Sequence, residues 1–96
     1  MATPSIPSAV LAVGTTTAVT GPCYITAIML HPGSAASTVT FYDNTAGSGT
    51  VLGVLQGPAN GATIIVPFDS PIRVKTGVTA VVAGTAAQAQ IYYQGA

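Results

Sequence analysis

The chain is a succession of short runs in which apolar and polar residues alternate. The cleanest is residues 72–75, where Ile72 and Val74 oppose Arg73 and Lys75. Val39 and Phe41 against Thr38 and Thr40 are nearly as clean. A period of two is the mark of a strand with one face buried. In chain order these runs predict strands over residues 10–20, 23–31, 37–42, 50–56, 62–67, 72–75, 78–83 and 88–94. Turn chemistry separates them: Gly21-Pro22, Pro32-Gly33-Ser34, the polar loop 43–49, Gly57-Pro58-Ala59-Asn60-Gly61 and Asp69-Ser70-Pro71. No stretch of ten residues carries a 3.6-residue period, and Glu, a staple of helix surfaces, is absent. The predicted fold is all-β, with about eight short antiparallel strands in a jelly-roll-like β-sandwich. Residues 1–9, which hold Pro4 and Pro7, predict an extended N-terminal arm ahead of a single domain over 10–96.

Two strands break the simple picture. Strict alternation in residues 23–31 puts Cys23, Ile25, Ala27 and Met29 on one face and Tyr24, Thr26, Ile28 and Leu30 on the other. Both faces are apolar. In residues 51–55, Val51 and Leu55 oppose Leu52 and Val54 in the same way. A sandwich strand buries only one face. The surplus face predicts an intersubunit surface containing Tyr24, Ile28 and Leu30.

Composition points the same way. Hydrophobic residues make up 49% of the chain and charged residues 4%, with zero formal net charge. Soluble domains carry about 25% charge. Clustered Lys and Arg, the footprint of nucleic-acid or anionic-membrane binding, are missing, so neither partner is expected. Near-zero charge also leaves a free monomer poorly protected against self-association, which predicts a homo-oligomer. No apolar run approaches the roughly 18 residues of a helical membrane span. The N-terminus lacks the basic region and apolar stretch of a signal peptide.

Candidate chemistry is sparse. Asp43 and Asp69 are the only carboxylates, and both sit beside turn residues, where Asp caps local backbone. Cys23 has no partner for an intramolecular disulfide and is expected to be a buried hydrophobe. His31, the only possible base for it, stands at the far end of the same strand, about 26 Å away at about 3.3 Å per residue. Arg73 and Lys75 suit a charged strand that discourages wrong pairing, with Asp69 as a possible ion-pair partner. Gln88, Gln90, Tyr92 and Gln94 share one face of the last strand and could bind sugar hydroxyls or line a polar interface. Neither a nucleophile elbow nor a phosphate-binding loop is present. No enzyme activity, metal or cofactor is expected.

The order of segments resembles a known group. Tyr24-Ile25-Thr26-Ala27-Ile28-Met29-Leu30 precedes a small-residue turn at Pro32-Gly33-Ser34. Val39-Thr40-Phe41-Tyr42-Asp43 then leads into a polar loop. Ile64-Ile65-Val66-Pro67-Phe68, Pro71-Ile72-Arg73-Val74-Lys75-Thr76-Gly77-Val78 and Ile91-Tyr92-Tyr93 follow. Over residues 22–93 this is similar to the small β-sandwich capsid decoration, or cement, proteins of tailed bacteriophages. The resemblance implies a virion structural protein on the capsid surface, made in the host cytoplasm. It would bind the major capsid protein as a homo-oligomer, with a trimer favoured, and stabilise the shell. It brings no catalytic residues, and the very low charge is a departure from the group that leaves the polarity of the capsid-facing surface open. Pro4, Ile6 and Pro7 would form an arm that orders on docking, with Ile6 as anchor. The alternative is a head-fibre or tail-tip module recognising host glycans through Gln90, Tyr92 and Gln94.

Overall fold

Thr, Val and Ile, stiff at Cβ and suited to a pleated surface, dominate the segments between turns, and every regular element among the described residues is a strand. The computed structural model describes residues 6–95. The strands are β1 (Ile6–Pro7), β2 (Gly14–Thr20), β3 (Cys23–His31), β4 (Ser37–Asp43), β5 (Thr50–Gly57), β6 (Ile64–Val74), β7 (Gly77–Ala83) and β8 (Gln88–Gly95). They form two four-stranded antiparallel sheets: sheet A in the order β1-β8-β3-β6 and sheet B in the order β2-β7-β4-β5. The pairs nest. The β4–β5 hairpin lies innermost in the chain, enclosed in turn by β3–β6, β2–β7 and β1–β8. Every connection other than β4–β5 therefore passes from one sheet to the other.

The core lies between the sheets. Ile25, Leu30, Val74 and Ile91 from sheet A meet Val39, Phe41, Val78 and Ala80 from sheet B, all fully buried. The observed strands differ from the expected set in three places. The segments expected as separate strands over 62–67 and 72–75 are one strand, β6. Asp69-Ser70-Pro71 does not turn the chain. Ile25 faces Ile72 and Ala27 faces Pro67, so residues 68–71 stand opposite Thr26 alone as a wide bulge. The strand expected from residue 10 begins at Gly14, and Leu11 instead bridges to Ala89 of sheet A. Residues 6–7 supply the eighth strand, so part of the expected free arm is already the edge of sheet A.

The two-faced strands have a shared explanation. On β3, Ile25 faces Tyr93 and Ala27 faces Tyr92, so Thr26 is one extra residue with no opposite number on β8. The extra residue inverts the alternation. Cys23 and Ile25 point into the core before the bulge, and Ile28 and Leu30 point into it afterwards, at 4% and 0% exposed. Tyr24, Ala27 and Met29 take the outer side, half-buried. The expected intersubunit surface of Tyr24, Ile28 and Leu30 is therefore corrected: Ile28 and Leu30 belong to the core of one chain, and only Tyr24 faces outward. On β5 the extra residue is Leu52, because Phe41 faces Gly53 while Tyr42 faces Val51. Leu52 and Leu55 both pack inward, and Val51 and Val54 are left outside. A third bulge, at Ala18 on β2, lets Ala18 and the neighbouring Val19 both reach the core.

Candidate functional site

Asp43 ends β4 where β6 turns into β7. Its carboxylate accepts hydrogen bonds from the backbone N–H of Lys75 (3.1 Å) and of Thr76 (2.9 Å). Partial burial pushes its pKa up, but the N–H groups of Thr76, Lys75 and Gly77 and the charge of Lys75 outweigh this and lower it. Asp43 is thus a clamp on a distant turn rather than a cap of its own loop. The local cap is Asn44. Its Oδ1 accepts from the Thr45 N–H at 2.8 Å, and its Nδ2 donates to the Ser48 carbonyl at 2.9 Å. The loop so shaped folds over the outer face of sheet B. The Thr79 hydroxyl donates to the Asn44 carbonyl at 2.8 Å and lies 3.1 Å from the Thr17 hydroxyl, leaving Thr79 fully buried although it points away from the core.

The other titratable groups stay apart. Cys23 is buried, and desolvation, followed by the negative charge of Asp43, raises its pKa, so the thiol stays protonated and inert. His31 lies at the opposite end of β3, exposed, with Nδ1 2.8 Å from the Thr63 hydroxyl. Asp69 is exposed on the β6 bulge. Among the described residues, no three of His, Cys, Asp and Glu come together as a metal site. A shallow depression of about 350 Å³ lies against Ala36, Ser37, Thr38, Gln56, Gly57 and Pro58, and it holds no ionisable side chain.

The candidate contact surface is the outer face of sheet A. Residues opposite one another in antiparallel strands project from the same face. The register therefore draws Pro7, Tyr92, Ala27 and Pro67 into one row across all four strands. Gln90, Met29 and Ile65 form the next row, and Gln94, Tyr24 and Arg73 a third. The structure thus brings Gln90, Tyr92 and Gln94, grouped by sequence spacing, together with Tyr24, which alternation placed on the expected intersubunit surface. It adds Ala27, Met29, Ile65 and Pro67, which the sequence did not single out. The phase change at Thr26 hid the first two, and a β6 split in two hid the others.

Gln90 is not a free ligand group. Its Nε2 donates to the Ser8 carbonyl at 2.7 Å. Ser8 in turn donates its N–H to the Ile91 carbonyl (2.8 Å) and accepts the Ile91 N–H at its hydroxyl (3.1 Å). These bonds tie residues 6–8 to β8. Ile6 and Pro7 of the expected docking arm are thus exposed edge residues of the domain, and Pro4 lies outside the described residues. No protein-family model, curated protein or solved structure matches the chain.

Proposed function

We propose that this protein works by contact rather than catalysis, as a virion structural protein of the capsid decoration type that associates with itself and attaches to a shell of major capsid protein. The observation that carries the reading is the outer face of sheet A. An uninterrupted row of Pro7, Tyr92, Ala27 and Pro67, backed by Met29 and Ile65, crosses the whole sheet with Arg73 as the charge at its margin. Such a face, apolar at its centre and polar at the rim, has the anatomy of a protein contact. The nested pairing β4–β5, β3–β6, β2–β7 and β1–β8 supports a jelly-roll topology, an architecture common among capsid proteins. The scatter of Asp43, Asp69, Cys23 and His31 supports a non-catalytic role. Glycan recognition is the weaker reading, because the Gln90 amide is engaged by Ser8.

The test is immunogold labelling of density-banded virions from the source of the sequence, using antibody raised against the purified protein. Label on the capsid surface supports the proposal, and intact virions without label overturn it. The substitution I65K, at an exposed position, should reduce rebinding to stripped virions at least tenfold and leave the fold unchanged.

A further inference from the structure

The four edge strands are not alike. Those of sheet A are obstructed. β1 is two residues long and contains Pro7, and β6 carries Pro67, Pro71, Arg73 and its wide bulge. Proline, charge and bulges are the means by which proteins keep edges from pairing. The edges of sheet B each carry a one-residue bulge, at Ala18 and Leu52, but have neither proline nor charge. Of these, β5 is the apolar one, pairing with β4 alone and exposing Val51 at 52% and Val54 at 49%.

Over residues 50–55 the inward and outward positions of β5 read the same from either end, and Gln56 and Gly57 lie beyond this matched stretch. Leu52 packs on the core, and a Cβ on Gly53 would lie 3.2 Å from Ile28 Cδ1, so both central residues face inward. Val51 and Val54 flank them on the outside, and Leu55 beyond is buried. Thr50, opposite Asp43, completes the symmetry on the inner side. Antiparallel partners must project from the same face. For β5 against itself, a two-fold axis between Leu52 and Gly53 meets this condition. It sets Val51 opposite Val54 of the second copy, Leu52 opposite Gly53, and Thr50 opposite Leu55.

We propose that β5 is the self-association edge of this protein: two copies pair β5 to β5, antiparallel, and join their B sheets into one eight-stranded sheet. The proposal rests on the reading that the protein works by assembly, and it names the joining surface. That surface lies away from the outer face of sheet A, which stays open for the shell. The two-fold contact differs from the trimer that family resemblance implies.

The experiment is sedimentation velocity on the full chain at about 100 µM, because edge contacts fall in the small-interface class. The wild type should run at twice the 9.4 kDa chain mass. V51K/V54K, which changes only exposed side chains and sets like charges opposite one another, should run as a monomer with an unchanged circular dichroism spectrum. V51C/V54C should give a covalent dimer on oxidation, and V51C alone should not. I65K should remain a dimer, so failure of capsid attachment and failure of this contact are separable. A wild-type monomer would mean that β5 is open to a foreign segment. A trimer or filament would mean that β2 or another surface joins the copies. Either result overturns the proposal, as does a V51K/V54K variant that still dimerises.

Discussion

Asp43 and Thr76 are 33 positions apart in the chain and 2.9 Å apart in the fold, joined by a hydrogen bond from the Thr76 N–H to the carboxylate. With the Lys75 bond it ties the end of sheet B to the turn by which the chain leaves sheet A. The folded-state pKa of Asp43 is lowered, so the folded state binds its proton more weakly than the unfolded state does. The stabilisation is therefore complete above the unfolded value of about 3.9 and is lost as pH falls through the lower folded value. The wild-type melting temperature should drop below about pH 4, and in D43N this part of the pH dependence should vanish. At neutral pH, Asp43→Ala should cost about 1 kcal/mol, a modest figure because water screens the site.

The bulge at Thr26 decides which side chains of β3 enter the core. Thr26→Ala removes the hydroxyl bond to the Tyr92 carbonyl (3.1 Å) and should cost about 1 kcal/mol in denaturant titration. Deleting Thr26 shortens the strand by the one residue that inverts its phase. Either Cys23 and Ile25 or Ile28 and Leu30 must then turn outward. The deletion should yield no cooperative unfolding transition, and a cooperatively folding deletion variant would show that β3 tolerates a regular register.

At the opposite end, Gly33 packs against the β7–β8 loop. A Cβ there would lie 1.7 Å from the Thr85 carbonyl oxygen and 2.8 Å from two further backbone atoms. Rigid backbone cannot give way as a side-chain tip can, so Gly33→Ala should cost more than about 3 kcal/mol. Ala86 in the same loop holds a φ of 59°, in the left-handed region that side chains disfavour. Ala86→Gly should be neutral or stabilise by up to about 1 kcal/mol. The melting temperature should fall sharply for Gly33→Ala and hold level or rise for Ala86→Gly.

The first strand is part of the domain. Ser8 is 8% exposed and bonded to Ile91 and Gln90. Removing residues 2–8 strips these partners from β8 and bares one side of it. The truncated chain should lose about 2 kcal/mol or more, and the amide of Ile91 should exchange faster with deuterium. Unchanged exchange at Ile91 would mean that residues 6–8 leave β8 freely in solution.

Strand identity was legible in the sequence wherever local chemistry suffices. Val39 and Phe41 alternate with threonines and face the core as expected, and Gly21-Pro22 and Pro32-Gly33 end strands where expected. Residues 23–31 form a strand with the predicted bounds. What misled was counting by two. Thr26 and Leu52 resemble ordinary strand residues, and nothing local marks either as the extra one. Asp69-Ser70-Pro71 carries a strong turn signal that is satisfied by a bulge, since β3 holds the chain on both sides of it.

The sequence by itself determined that this is an all-β chain, nearly without charge and with only two carboxylates and one histidine, because these follow from composition and local preference. The tertiary structure alone decided which apolar residues are core and which are surface. A one-residue bulge inverts every side chain beyond it, and its position is set by hydrogen bonding to the neighbouring strands. So Ile28 and Leu30, aliphatic strand residues like Val51 and Val54, are buried, while the two valines stand on an open edge.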